Sequence, residues 1–140
     1  MNKRLIDDMI PDAYNIIKKL GIANAEGKIG KEFRGYISAY GAAIVTGSLI
    51  AATAFYTKEG GAKEKRPLLM RAIYALITKT DVLSANDYSL YEYIKKENTV
   101  KTKEKVINSA IAIKLALNFF EEKKELEKGC VETNEFELSF

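Results

Sequence analysis

Eight basic side chains in the first half of the chain are the residues best suited to hold a ligand: Lys28, Lys31, Arg34, Lys58, Lys63, Lys65, Arg66 and Arg71. Lys28, Lys31 and Arg34 are spaced by three, which lines them along one helix face. Lys58, Lys63, Lys65 and Arg66 bracket Gly60-Gly61, and Arg71 lies just over one turn beyond Arg66. Together they predict a groove for a phosphate backbone, attractive at low salt and indifferent to sequence. A second basic group, Lys95, Lys96, Lys101, Lys103 and Lys105, surrounds a later predicted loop. Glu32, Glu59, Glu64, Glu97 and Glu104 are interleaved with both groups, so an ordinary solvated surface is the competing reading. Tyr36, Tyr40, Tyr56, Tyr91 and Tyr93 could stack on bases, or could serve as core and interface residues.

Catalytic chemistry has little to draw on. The chain has no histidine, which removes the commonest general base and metal ligand. Its single cysteine, Cys130, cannot build a zinc site, and it lies just past a predicted helix C-terminus, where the dipole disfavours a thiolate. Asp7, Asp8 and Asp12 could share a helix face as a nuclease metal site would require. The plainer reading is acidic residues near the positive end of the first helix. Glu121, Glu122 and Glu125 resemble half of a carboxylate-bridged site without its histidines. Gly27, Gly30 and Gly35 are out of phosphate-loop order, and no GK[ST] follows Gly60-Gly61. These observations predict a protein that is not an enzyme and needs no cofactor or metal.

Something must position those basic residues. At 140 residues, 47% hydrophobic and 29% charged, the chain suits one domain with a real core. Residues 1–120 hold 19 Lys/Arg against 12 Asp/Glu, whereas residues 121–140 hold 3 Lys against 7 Glu. A basic body with an acidic end suits a domain that meets a polyanion, and also a Lys/Glu-rich thermophile surface. The uncharged run Gly35 to Thr57 is long enough to prompt comparison with a membrane span. Its Tyr36, Ser38, Tyr40, Gly41, Thr46, Gly47, Ser48 and Thr53 argue for buried core instead. MNKRLIDD has no apolar signal region, and one cysteine suits a reducing compartment, so a cytoplasmic protein is expected.

The periodicity predicts an all-α fold, a compact single-domain bundle of five or six helices over residues 1–128. An acidic C-terminal tail is predicted over 129–140. The first helix is expected from about Lys3 to Leu20, with Leu5, Ile6, Met9, Ala13, Ile16, Ile17 and Leu20 inward. Pro11 predicts a kink there or a later start. The expected second helix covers about Lys31 to Val45. The third covers Ser48 to Lys58, with Ser48 as N-cap and Gly60-Gly61 as its end. A fourth runs from Pro67 to about Lys79. A short fifth is capped by Asn86 or Asp87, with Tyr88, Tyr91 and Ile94 facing the core. The last starts at Thr99 or Thr102 and is expected to reach about Lys128, stopped by Gly129. Strict alternation is confined to Glu135–Phe140.

The segment Ser48–Lys58, SLIAATAFYTK, resembles the signature of the small helical subunit of the type III-B CRISPR (Cmr) RNA-targeting effector complex. In that family a Gly-Leu-aliphatic run leads through small residues to an Ala-Phe pair and a lysine. Leu49, Ile50, Ala54, Phe55 and Lys58 take those places, with Ser48 where glycine is expected and Gly47 one residue early. The likeness spans about Phe33 to Ile77. It implies a non-catalytic subunit that stacks, in several copies, along a larger repeated subunit beside the guide–target RNA duplex. Its implied partners are the other Cmr subunits, copies of itself and that duplex, in antiviral defence. Three alternatives remain open: a stand-alone helical adaptor or dimerisation domain, the small subunit of the type III-A system, and a carboxylate-dependent nuclease. Glutamate at Lys31, Arg34, Lys65 and Arg66 is expected to spare the fold and weaken RNA binding.

Overall fold

The computed structural model describes residues 2–58 and 65–122. Among them are six α-helices, one short 3-10 turn and a two-residue strand pair, so the all-α reading holds. In chain order these are α1 (Lys3–Lys19), β1 (Lys28–Ile29), α2 (Glu32–Thr46), α3 (Leu49–Thr57), α4 (Lys65–Thr78), the 3-10 turn Val82–Ser84, α5 (Ser89–Lys96), α6 (Val100–Leu117) and β2 (Glu121–Glu122). No described helix is long and apolar enough to cross a membrane.

α4 and α6 form the centre. α6 packs on α1, α2 and α4, while α4 also meets α3 and α5. A helix wrapped by several neighbours needs apolar or small residues on most of its circumference. α6 supplies Val106, Ala110, Ala112, Ile113, Ala116 and Leu117, and α4 supplies Leu69, Met70, Ala72, Ile73, Ala75 and Leu76. The alanines let neighbouring backbones approach while the branched residues fill the gaps.

α1 runs unbroken through Pro11, contrary to the later start considered from sequence. Pro11 and Asp7 both lie on the exposed side, where water can satisfy the Asp7 carbonyl that loses its helical donor. The helix begins with Asn2, whose Oδ1 accepts from the Leu5 N–H at 3.1 Å. Asp7, Asp8 and Asp12 therefore lie beyond the first turn, not at the positive helix end. Leu5, expected inward, is 51% exposed.

The α2–α3 hairpin turns at Gly47, where an added Cβ would come within 3.0 Å of the Ala43 carbonyl oxygen. Ser48 caps α3 as its sequence predicts, its Oγ accepting from the Ala51 N–H. Two tyrosine hydroxyls lock the hairpin. The fully buried Tyr40 hydroxyl donates to Thr53 Oγ1 at 2.7 Å, and Thr53 passes a bond to the Leu49 carbonyl at 2.8 Å. Tyr56 donates to the Tyr36 carbonyl at 3.0 Å. Burial pushes both phenols above the ordinary tyrosine range, so they stay donors.

α6 starts at the Thr99 cap but ends at Leu117, well before Lys128. The chain turns through Asn118–Phe120, and Glu121–Glu122 pairs in parallel with Lys28–Ile29. The turn stacks Phe120 on Tyr14, ring centroids 4.8 Å apart. Gly60-Gly61, the Gly129 stop, Cys130 and the tail over 129–140 lie outside the described residues.

Two helices end in a left-handed residue. Gly21 (φ 78°) follows α1 without a Cβ penalty, whereas Lys79 (φ 60°) does the same after α4 and bears one. The ion pair of Lys79 with Asp12, 3.9 Å long and well exposed, returns little. Lys79→Gly is therefore expected to stabilise the fold by up to about 1 kcal/mol, read as a higher urea midpoint at unchanged slope. An unchanged or lower midpoint would show that Lys79 is not strained.

Candidate nucleic-acid interface

The eight basic residues separate into distinct environments. Lys28 lies on β1 and Lys31 precedes α2, so the expected line of three along one helix does not form. Only Arg34 of that trio is helical, because α2 begins at Glu32. Arg34 turns inward on the end of α6. Its Nη2 donates to the Leu117 and Phe120 carbonyls at 3.2 and 3.5 Å, and its Nη1 meets Glu122 at 3.0 Å. It replaces the N–H donors that the last turn of α6 lacks. Arg71 is similarly engaged: its Nε and Nη2 donate to the Ala85 carbonyl at 3.1 and 2.8 Å, and Asp87 lies 3.9 Å away. Lys65 pairs with Glu32 and lies over the Phe33 ring. Lys63 is outside the described residues.

Arg66 is different. Its guanidinium sits 5.0 Å from the Phe55 ring centroid, 5.2 Å from Tyr36 and 5.5 Å from Tyr56. Residues of α2, α3 and α4 thus converge on one cation. Its buried Nε, like that of Arg34, has no hydrogen-bond partner among the described residues. The positive charge of Arg66 also partly offsets the burial that raises the Tyr56 phenol. Rings of this kind hold a guanidinium by its faces and leave its edge donors for a carboxylate or phosphate.

Phe55 is the residue that sequence reading underweighted. It is 62% exposed, although it sits in a continuous uncharged run. The helix phase explains it: Leu49, Ala52, Thr53, Tyr56 and Thr57 are buried, so Ala51, Ala54, Phe55 and Lys58 must face out. That phase was readable once Ser48 is taken as the cap. Lys58 ends the face, exposed at the C-terminal cap of α3.

Next to Lys58 the surface opens into a groove of about 300 Å³ between α3 and α5, lined by Ala54, Thr57, Lys58, Tyr88 and Tyr91. Tyr88 and Tyr91, expected in the core, are 55% exposed and half-buried respectively. Leu90 and Ile94 anchor α5 instead. Neither Asn86 nor Asp87 takes the cap position, which falls to Tyr88; Asn86 stands two residues before it, its Oδ1 accepting from the Tyr88 N–H at 2.8 Å. Lys95 sits 5.5 Å from the Tyr91 ring.

The carboxylates do not assemble. Asp12 faces Lys79, and no group of three or more metal-binding side chains forms among the described residues. A groove of about 320 Å³ between α1 and the end of α4 contains Asp12, Lys19, Lys79 and Asp81, with no net charge to select a ligand.

Comparison with protein-family models, with curated proteins and with solved structures finds no match for this chain.

Proposed function

We propose that this chain is a non-catalytic small subunit of a CRISPR type III-B (Cmr) ribonucleoprotein, which holds guide or target RNA through a basic aromatic surface. One observation carries the reading. The residues on which the family likeness rests divide by helix phase into inward Leu49 and half-buried Ile50, and an outward set, Ala54, Phe55 and Lys58. The fold does not use that outward set for its own core. Phe55 spends its ring on the half-buried Arg66, a contact that sets a cation beside an exposed aromatic face. Aromatic faces beside cations are the usual means of holding a nucleic-acid strand without reading its sequence.

A protein–protein adaptor has its own support. Val45 is 68% exposed, and the outer sides of α2 and α3 carry Ala39, Ala42, Ala51 and Ala54, which admit close helix packing. Purifying the tagged full-length protein from its native cells separates the two. Cmr subunits together with CRISPR-derived RNA are the expected recovery. Recovery of protein partners without RNA would favour the adaptor, and recovery of the chain alone would reject the effector-subunit reading.

A further inference from the structure

We propose that the groove between α3 and α5 takes unpaired RNA, stacking bases on Tyr88 and Tyr91 while Lys58 and Lys95 meet the adjoining phosphates. This rests on the RNA-binding reading above and narrows it to single-stranded ligand.

The tyrosines are not needed where they stand. α5 is held to the bundle by Leu90 and Ile94, and neither tyrosine is fully buried. Neither hydroxyl has a hydrogen-bond partner among the described residues, and the Tyr91 ring, half-buried, lies beside Lys95. Tyr88 and Tyr91 are three apart across the start of α5, which places both rings on the same side, one turn from each other. The Asn86 bond to the Tyr88 N–H fixes that start.

The charges complement a phosphate chain. Lys58 lines one wall and Lys95 lies beside Tyr91. Glu92 opposes them, paired with Lys95 at 3.6 Å, but both side chains are about half exposed and such pairs are weak. A phosphate can replace that carboxylate at small cost. Phe55, which carries the Arg66 contact, is next in the chain to Ala54, which lines the groove.

Strandedness follows from access. In a duplex the base faces are stacked on one another, so rings inside a groove meet only backbone and groove edges. Unpaired bases offer a free face to Tyr88 and Tyr91, and stacking is tolerant of sequence.

The test is fluorescence anisotropy with a short labelled single-stranded RNA and the same strand annealed to its complement, using the full chain. Wild type should prefer the single strand. Tyr88→Ala with Tyr91→Ala should weaken that binding about tenfold or more and leave the duplex affinity unchanged. Phenylalanine at both positions should retain binding, because stacking needs the ring and not the hydroxyl. Ultraviolet cross-linking of wild type should attach nucleotides at Tyr88 or Tyr91, which keeps the proposal testable if the double alanine variant misfolds. Wild-type affinity in a folded double alanine variant, with binding still lost in Arg66→Ala, would overturn the groove and spare the RNA reading. Equal loss for single strand and duplex would overturn stacking. Cross-links only at other residues would place the strand elsewhere. No binding of either RNA at low salt, with loss of protein partners in the tyrosine variant, would reject both proposals and assign the groove to a protein.

Discussion

Replacing Arg66 by glutamate is expected to weaken RNA binding on the order of 100-fold at low salt, the largest functional effect of any single change. The argument is geometric. Three rings from α2 and α3 hold the guanidinium at 5.0 to 5.5 Å and fix where its edge donors point. Glutamate removes those donors and repels the phosphate. Lysine keeps the charge but loses the planar face that the rings recognise, so Arg66→Lys should cost about tenfold. The readout that separates a phosphate contact from a structural one is the salt dependence: its slope should fall by about one in Arg66→Glu and stay near wild type in Arg66→Lys, which keeps the charge. Lost affinity with an unchanged slope in Arg66→Glu, or an unfolded circular-dichroism spectrum, would reassign Arg66 to holding α4 against the α2–α3 hairpin.

Arg34→Ala is expected to do the opposite, lowering stability by about 2 kcal/mol and RNA affinity hardly at all. This residue closes the end of α6 through the Leu117 and Phe120 carbonyls, and it links to Glu122 beside the β1–β2 pairing. The exposed Glu122 contact contributes little by itself. The larger cost is two part-buried carbonyls left without their donor. For a domain of this size the loss corresponds to a melting temperature lower by roughly 8 °C. Arg34→Lys should recover only part of it, because a single ammonium cannot span two carbonyls and a carboxylate in one plane. A variant as stable as wild type, with weakened RNA binding, would return Arg34 to the ligand surface. Arg34 accordingly does not belong in a charge-reversal set intended to spare the fold, and neither does Lys65, which Glu32 pairs.

These two arginines show how far sequence reading reaches. Spacing and charge suit both to a ligand, and nothing within either one's own neighbourhood distinguishes them. Arg34 becomes a clamp because residues 83 to 88 positions later in the chain arrive beside it. Arg66 becomes a ring-held cation because Tyr36 and Phe55 come from two other helices. Charge spacing describes one strand of sequence, whereas pairing is decided by what packs against it.

The same division holds for the fold. Helix existence and most starts were legible, because caps and periodicity are local: Ser48 and Thr99 cap α3 and α6 through bonds that span three residues. The end of α6 was not legible, since no glycine or proline stands near Leu117. The stop is imposed from a distance by the Tyr14–Phe120 stack, the Arg34 clamp and the pairing with Lys28–Ile29. Facing on α5 was misread for a related reason. Tyr88, Tyr91 and Ile94 share helical spacing, but α3 and α4 meet α5 on the side that carries Leu90 and Ile94.

By itself the sequence determined the helical class, the caps, the absence of histidine chemistry and the supply of basic and aromatic side chains, because each depends on residue type or on neighbours within a turn. Only the tertiary structure decided which cations are spent on carbonyls and carboxylates and which are set among aromatic rings. That outcome depends on contacts between residues far apart in the chain, whose free energies exist only after the helices have packed.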